Sequence, residues 1–182
     1  MPRLVHLNGP PGIGKSTIGR RYIHDHPFSF CLDIDGFRSL IGRWDEHEQE
    51  SGRLARRMAL AMAREHLTAG YDVVVPQLLI RPEFAMQLRD LAADVGAAFH
   101  EIVLLDKQAA AAARFRARAA DDLWRSHHAE AVRMIDAAGG FGAMYQRLVD
   151  AIPALPDPVV VTTQAGETDS AYEAVLRAIN IA

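Results

Sequence analysis

The chain alternates short apolar runs with segments whose apolar residues recur every three or four positions. That rhythm predicts βαβ units, a parallel sheet with helices on both faces. RLVHLN (Arg3–Asn8) reads as a first strand, followed by a Gly/Pro-rich loop and a helix from about Ser16 to His26. FSFCLD, residues 28–33, reads as a second strand. A helix is expected over about Ser51–Ala69, with Leu54, Met58, Ala61 and Met62 on one face and Gly70 as its stop. The β-branched run DVVV before Pro76 reads as a buried third strand. Pro82 opens a helix that carries Phe84, Leu88 and Leu91 and ends near Gly96. HEIVLL, residues 100–105, reads as a fourth strand, with Asp106 placed to cap the Ala-rich helix that follows. The charged stretch RFRARAADDLWRSHH (114–128) leads into a further helix to about Ala138, broken by Gly139–Gly140. A helix over about Phe141–Ile152, the linker PALPDP, the strand VVVT and the closing helix SAYEAVLRAI complete the chain.

At 182 residues the whole chain, 1–182, is expected to form a single domain with a real core. A net charge of −3 supplies no overall basic field, so nucleic acid is not an expected partner. Cys31 is the only cysteine, which excludes an internal disulfide and any Cys-based zinc cluster. No apolar run approaches the roughly 20 residues needed to span a bilayer, and no signal-peptide pattern opens the chain, so a cytoplasmic location is expected. Nothing in the sequence sets the oligomeric state.

The chemistry concentrates after the first strand. GPPGIGKS, Gly9 to Ser16, fits G-x-x-x-x-G-K-[ST] without a mismatch, between a strand and a helix, as the motif requires. Gly9, Pro10, Pro11, Gly12, Ile13 and Gly14 would wrap backbone N–H groups around phosphate oxygens, aided by the partial positive charge of the helix N-terminus. Lys15 would bridge the β- and γ-phosphates of ATP and Ser16 would offer a hydroxyl to Mg²⁺. Thr17 reads as an ordinary first-turn residue beside the nucleotide loop. A nucleoside triphosphate with its magnesium is therefore the expected cofactor.

A second concentration is LDIDGF, Leu32–Phe37. In an extended segment Asp33 and Asp35 would point to one side. A right-handed crossover returns the second strand parallel to the first, so both acids should emerge beside the phosphate loop, where Lys15 and Mg²⁺ offset their charge. Asp33, nearer the strand, would hold a water on Mg²⁺; Asp35 would take the proton of an attacking hydroxyl. The division of roles between them is open, and either acid could instead cap the following segment FRSLIG. The D-x-x-G within DIDG lacks an accompanying guanine-reading N-K-x-D, which argues against a switch GTPase.

Phosphoryl transfer also wants arginine. Arg114 and Arg118 lie four apart on one helical face, with Arg116 nearly opposite. Arg81, just beyond the third strand, and Arg38, after the acids, are substrate-side candidates, whereas Arg53, Arg56 and Arg57 read as an exposed helix face. Trp44 and Trp124 could stack on a substrate ring, pack in the core or anchor a lid. The histidine spacings, His24/His26 and His127/His128, do not build a zinc site, and His6 reads as structural.

With these residues in view, LNGPPGIGKST, then LDIDGF, then an Arg-bearing stretch over about 114–128, the chain resembles the small P-loop kinases. That group includes shikimate and gluconate kinases, chloramphenicol phosphotransferase and the zeta-toxin kinases. A longer similarity, to ATP-binding tunicamycin-resistance proteins, rests on VVVPQLLIRPEF (73–84) and RFRARAADDLW (114–124). These segments together reach to about residue 130. The resemblance implies a three-layer, nucleoside-kinase-like fold with a helical lid, an acid at the end of the second strand as catalytic base, and phosphorylation of a small-molecule hydroxyl. Two departures stand out. The third strand ends in Pro76–Gln77, without an acidic metal residue, so that Asp33 would take the metal role and Gln77 would be available to substrate. Asp121 and Asp122 also put acids within the lid. A nucleoside or nucleotide kinase, an ATP-dependent sequestering protein and a nucleotide-sugar toxin remain rival readings.

Overall fold

The computed structural model describes residues 1–117, 131–133, 135–137 and 139–180. In chain order the elements are β1 (Arg3–Asn8), α1 (Lys15–Asp25), β2 (Phe30–Cys31), α2 (Ile34–Arg38), α3 (Glu48–Thr68), β3 (Val73–Pro76), α4 (Glu83–Asp94), β4 (Ala98–Leu105) and α5 (Gln108–Ala117). Residues 131–133 and 135–137 are also helical. There follow α6 (Phe141–Ala151), a 3₁₀ turn (Ile152–Ala154), β5 (Val159–Thr162) and α7 (Thr168–Asn180). All strand pairings are parallel, in the order β2-β3-β1-β4-β5. The expected five-stranded parallel sheet and three-layer α/β architecture are present. No described helix is long and apolar enough to cross a membrane.

The alternation of side chains along each strand supplies both faces of the core. Val5 and Leu7 of β1, Ile102 and Leu104 of β4 and Val161 pack with α1 and α7 through Ile18, Tyr22, Ala171, Tyr172 and Val175. Leu4, Val73 and Val75 point the other way, onto Ala55, Ala59, Ala63 and Leu67 of α3 and Phe84, Leu88 and Leu91 of α4. Here the sequence pattern misidentified a face. Leu54 and Met58 of α3 are substantially exposed, while the alanines at i, i+4 and i+8 are fully buried. A stripe of small side chains brings α3 close to the sheet, so burial follows the short side chains and leaves the long ones outside.

The second strand is also shorter than FSFCLD implies. Phe28 has a φ of 66° and is 73% exposed, pairing is limited to Phe30 and Cys31, and the chain turns helical at Ile34. Of the lid expected over about 114–128, residues 114–117 form the end of α5, and 118–128, with Trp124, His127 and His128, lie outside the described residues.

Candidate active site

The carboxyl ends of parallel strands form the natural ligand crevice of such a sheet. Gly9–Gly14 leave β1, Asp33 follows β2, Gln77–Arg81 leave β3 and Asp106 follows β4. The candidate groups that leave β1, β2, β3 and β4 therefore share one edge.

The phosphate loop is built for close approach. Gly9 (φ 138°), Gly12 (φ 80°) and Gly14 (φ 110°) all sit at positive φ. A Cβ on Gly9 would lie 2.5 Å from the carbonyl oxygen of Leu104, and one on Gly12 would lie 3.0 Å from the backbone of Phe115. The loop is thus wedged between β4 and α5, with no room for a side chain at Gly9 or Gly12. Ile13 anchors it in the core, and Ile18 N–H donating to Gly14 O at 2.9 Å closes the first turn of α1. Lys15 Nζ donates to the carbonyls of Gly9 (2.8 Å) and Pro10 (3.0 Å), folded over its own loop. Ser16 and Thr17 stand in the first turn of α1, Thr17 exposed.

The protein-family comparison decides what this loop belongs to: the AAA domain family model matches residues 4–136. The chain belongs to this AAA-domain family. Solved structures share its fold along nearly their whole length. An APS kinase from Mycobacterium tuberculosis, solved with AMPPNP and APS, superposes with a TM-score of 0.63 at 20% identity, covering 98% of each chain. The Deinococcus radiodurans tunicamycin resistance protein gives 0.62 at 17% identity, covering 98% of this chain and 96% of that one. A shikimate kinase from Bacteroides thetaiotaomicron gives 0.58 at 14%, covering 97% and 98%. At these identities the likeness speaks for the fold. A search of the curated proteins found no match.

In this AAA-domain chain the two acids do not lie side by side on a strand, as an extended LDIDGF would require. Asp33 is the N-cap of α2, its carboxylate accepting the Gly36 N–H at 3.1 Å, and Asp35 sits exposed in the first helical turn. Asp35 faces Gln77, whose Nε2 lies 3.3 and 3.4 Å from its two oxygens. Pairing by alternation fails because a five-residue helix starts between them. Next to them the Cys31 thiol is pushed up to about 11, mainly by burial and further by the neighbouring Asp33 charge.

Arg38, expected on the substrate side, is engaged by the start of α3. It is buried, with Nε donating to Ser51 Oγ at 3.0 Å and Nη2 to the Glu48 carbonyl at 2.8 Å, its guanidinium 5.2 Å from the Trp44 ring. Arg38 thus ties α2 to the start of α3, with the Trp44 ring beside its guanidinium. Arg81 is exposed just beyond β3. Arg114 reaches back along α5 to Asp106, Nη2 to Oδ2 at 2.5 Å, with its backbone against Gly12. Arg116 points to the opposite, exposed face, as the helical spacing implied. Arg118 is outside the described residues. Asp106 is not the cap expected of it. It stands one residue too early, accepting Lys107 N–H at 2.6 Å, and spends its other oxygen on Arg114.

One buried polar cluster escaped sequence reading, apart from His6, which was read as structural. His6, Asn8 and Glu101 are completely buried on the α4 side of the sheet. His6 Nδ1 lies 2.6 Å from Glu101 Oε2 and Nε2 3.0 Å from the Gln77 carbonyl. Asn8 accepts the Leu79 N–H at 2.9 Å through Oδ1 and donates to the Leu79 carbonyl at 3.0 Å through Nδ2. The only available signal was three polar residues at inward positions of strands β1 and β4.

Proposed function

We propose that this protein is an ATP-dependent phosphotransferase acting on a hydroxyl group of a small molecule. The observation that carries the reading is the placement of an exposed carboxylate, Asp35, on the same sheet edge as a complete phosphate loop. In the proposed reaction Asp35 accepts the proton of the acceptor hydroxyl as its oxygen forms a bond to the γ-phosphorus. The bond from that phosphorus to the bridging oxygen breaks, and ADP leaves with the electron pair. Lys15, with Arg114 and Arg118 from the lid, would balance the charge that spreads over the transferring group. Gln77 and Arg81 line the acceptor side.

Mg²⁺ suits the donor set, because Ser16 and Asp33 offer oxygen, which this cation prefers. Among the described residues no group of three or more His, Cys, Asp or Glu side chains could hold a metal unaided. A cation at Ser16 and Asp33 would be carried largely by the nucleotide phosphates and would neutralise their charge.

The fold shared with a tunicamycin resistance protein makes antibiotics and other natural products the first acceptors to try. The test is ADP release across a panel of hydroxylated compounds, compared with Asp35→Asn. Turnover of an acceptor, lost in the variant while ATP still binds, supports the proposal. Intact ATP binding without transfer to any compound favours the rival reading, ATP-dependent sequestration, which the absence of an acid at Pro76–Gln77 already makes worth testing.

A further inference from the structure

We infer that Gln77 is the positioning residue for Asp35, and that the buried His6–Glu101 pair and Asn8 hold it in place. The inference rests on the reading of Asp35 as the base. Asp35 stands on a helix of only five residues and is exposed, so its own helix does little to select a rotamer. Gln77 Nε2 spans both carboxylate oxygens at 3.3 and 3.4 Å. An amide is a well-chosen partner for a base. A lysine or arginine there would orient the carboxylate but also stabilise its charged form and so weaken its basicity, whereas a neutral N–H gives direction at smaller cost. The amide orientation leaves Gln77 Oε1 buried without a hydrogen-bond partner among the described residues. That cost is the reverse of what stability alone would select.

The backbone beneath Gln77 is held from β1. Its N–H donates to the Leu7 carbonyl at 3.1 Å, extending the β1–β3 ladder one residue past Pro76. Its carbonyl accepts from His6 Nε2, and two residues on Asn8 takes both backbone groups of Leu79. His6 is locked in that orientation by its second nitrogen. With Glu101 ionised, both ring nitrogens face acceptors and both must carry hydrogen. With the shared proton on Glu101, Nδ1 accepts and Nε2 still carries hydrogen. In either arrangement the proton on Nε2 points at Gln77, and Asn8 Nδ2 to Glu101 Oε1 at 3.4 Å ties the two halves together. A buried, hydrogen-bonded polar pair is a poor device for stability and a good one for fixing a position.

The test is a double-mutant cycle on ATP hydrolysis with Mg²⁺, in which water stands in for the acceptor hydroxyl. Gln77→Met, close in shape, should lower kcat about 10- to 100-fold, as loss of an orienting partner typically does. It should leave the KM for ATP and the unfolding midpoint near wild type. Placed in an Asp35→Asn background, the same change should alter the residual rate by less than about twofold, because the group it orients is gone. Gln77→Glu keeps the shape and sets a like charge against Asp35, so it should lose at least as much rate. Equal losses in both backgrounds, or an unchanged rate in both Gln77 variants while Asp35→Asn is impaired, would overturn the inference and leave the base reading intact. Full activity of Asp35→Asn alone would remove the base and this inference with it.

Discussion

Asp33 Oδ1 accepts the Gly36 N–H at 3.1 Å, and that single bond separates two carboxylates which lie two positions apart in sequence. It turns Asp33 inward as the cap of α2 and leaves Asp35 to face Gln77. The cap and the charge of Asp33 can be told apart by substitution. Asparagine caps about as well as aspartate, whereas alanine costs about 1 kcal/mol. Asp33→Asn should therefore keep wild-type stability in urea and raise only the Mg²⁺ concentration needed for activity. Asp33→Ala should lower stability by about that amount as well. Equal destabilisation by both would mean that the cap is not what Asp33 contributes.

The phosphate loop makes a sharper steric prediction at Gly12. Its φ of 80° is unfavourable for any residue with a Cβ, and that atom would meet the Phe115 backbone at 3.0 Å. Backbone cannot swing aside as a side chain can, so either the loop or α5 must shift. Gly12→Ala should lose about 1–3 kcal/mol of stability through backbone strain. Because the displaced element is the one that carries Arg114, ATP affinity measured by calorimetry should fall too. Gly70→Ala, at a similar φ of 91° but with open space around it, isolates the conformational part of that cost.

The sheet was legible because strands are written as β-branched runs: the VVV of central β3 is buried on both faces, whereas that of the edge strand β5 leaves Val159 and Val160 exposed. The phosphate loop was legible because its chemistry permits few alternatives. What escaped depended on partners distant in sequence. Nothing local says that Arg38 will bond Ser51 and Glu48, or that Asp106 will turn to Arg114 eight residues on. The exposed Leu54 and Met58 show the same limit. Periodicity finds a helix, but which stripe is buried depends on how closely the sheet can be approached, and here three alanines decide it.

Cys31 offers a prediction with a definite sign in pH. Burial, reinforced by Asp33, raises its thiol to about 11, against an ordinary value near 8.5. At pH 8 the thiolate population should be on the order of 10²-fold smaller than in an unstructured peptide, and alkylation by iodoacetamide should be slowed correspondingly. The folded chain keeps the proton while the unfolded chain releases it, so folding is favoured below about pH 9 and that contribution is lost as pH rises toward 11. Stability measured from pH 8 to 10.5 should fall more steeply than in Cys31→Ala. Rapid labelling of the native protein at pH 8 would contradict the burial.

The His6–Glu101 pair predicts how stability and position trade against one another. Both side chains are completely buried, and the His6 ring bonds Glu101 on one side and the Gln77 carbonyl on the other. Removing one partner leaves a polar or charged group without compensation inside the sheet, so His6→Leu or Glu101→Leu alone should cost about 3–5 kcal/mol in urea unfolding. Replacing both removes the desolvation burden together with the bond, and the double variant should recover much of that loss. Activity should not recover with it. The double variant leaves the Gln77 carbonyl without its donor, so the segment that orients Asp35 loosens while the core holds. A double variant that regains both stability and ATP turnover would show that the pair serves the fold alone; one that regains only stability would show that the polar pair is kept for the geometry of the site.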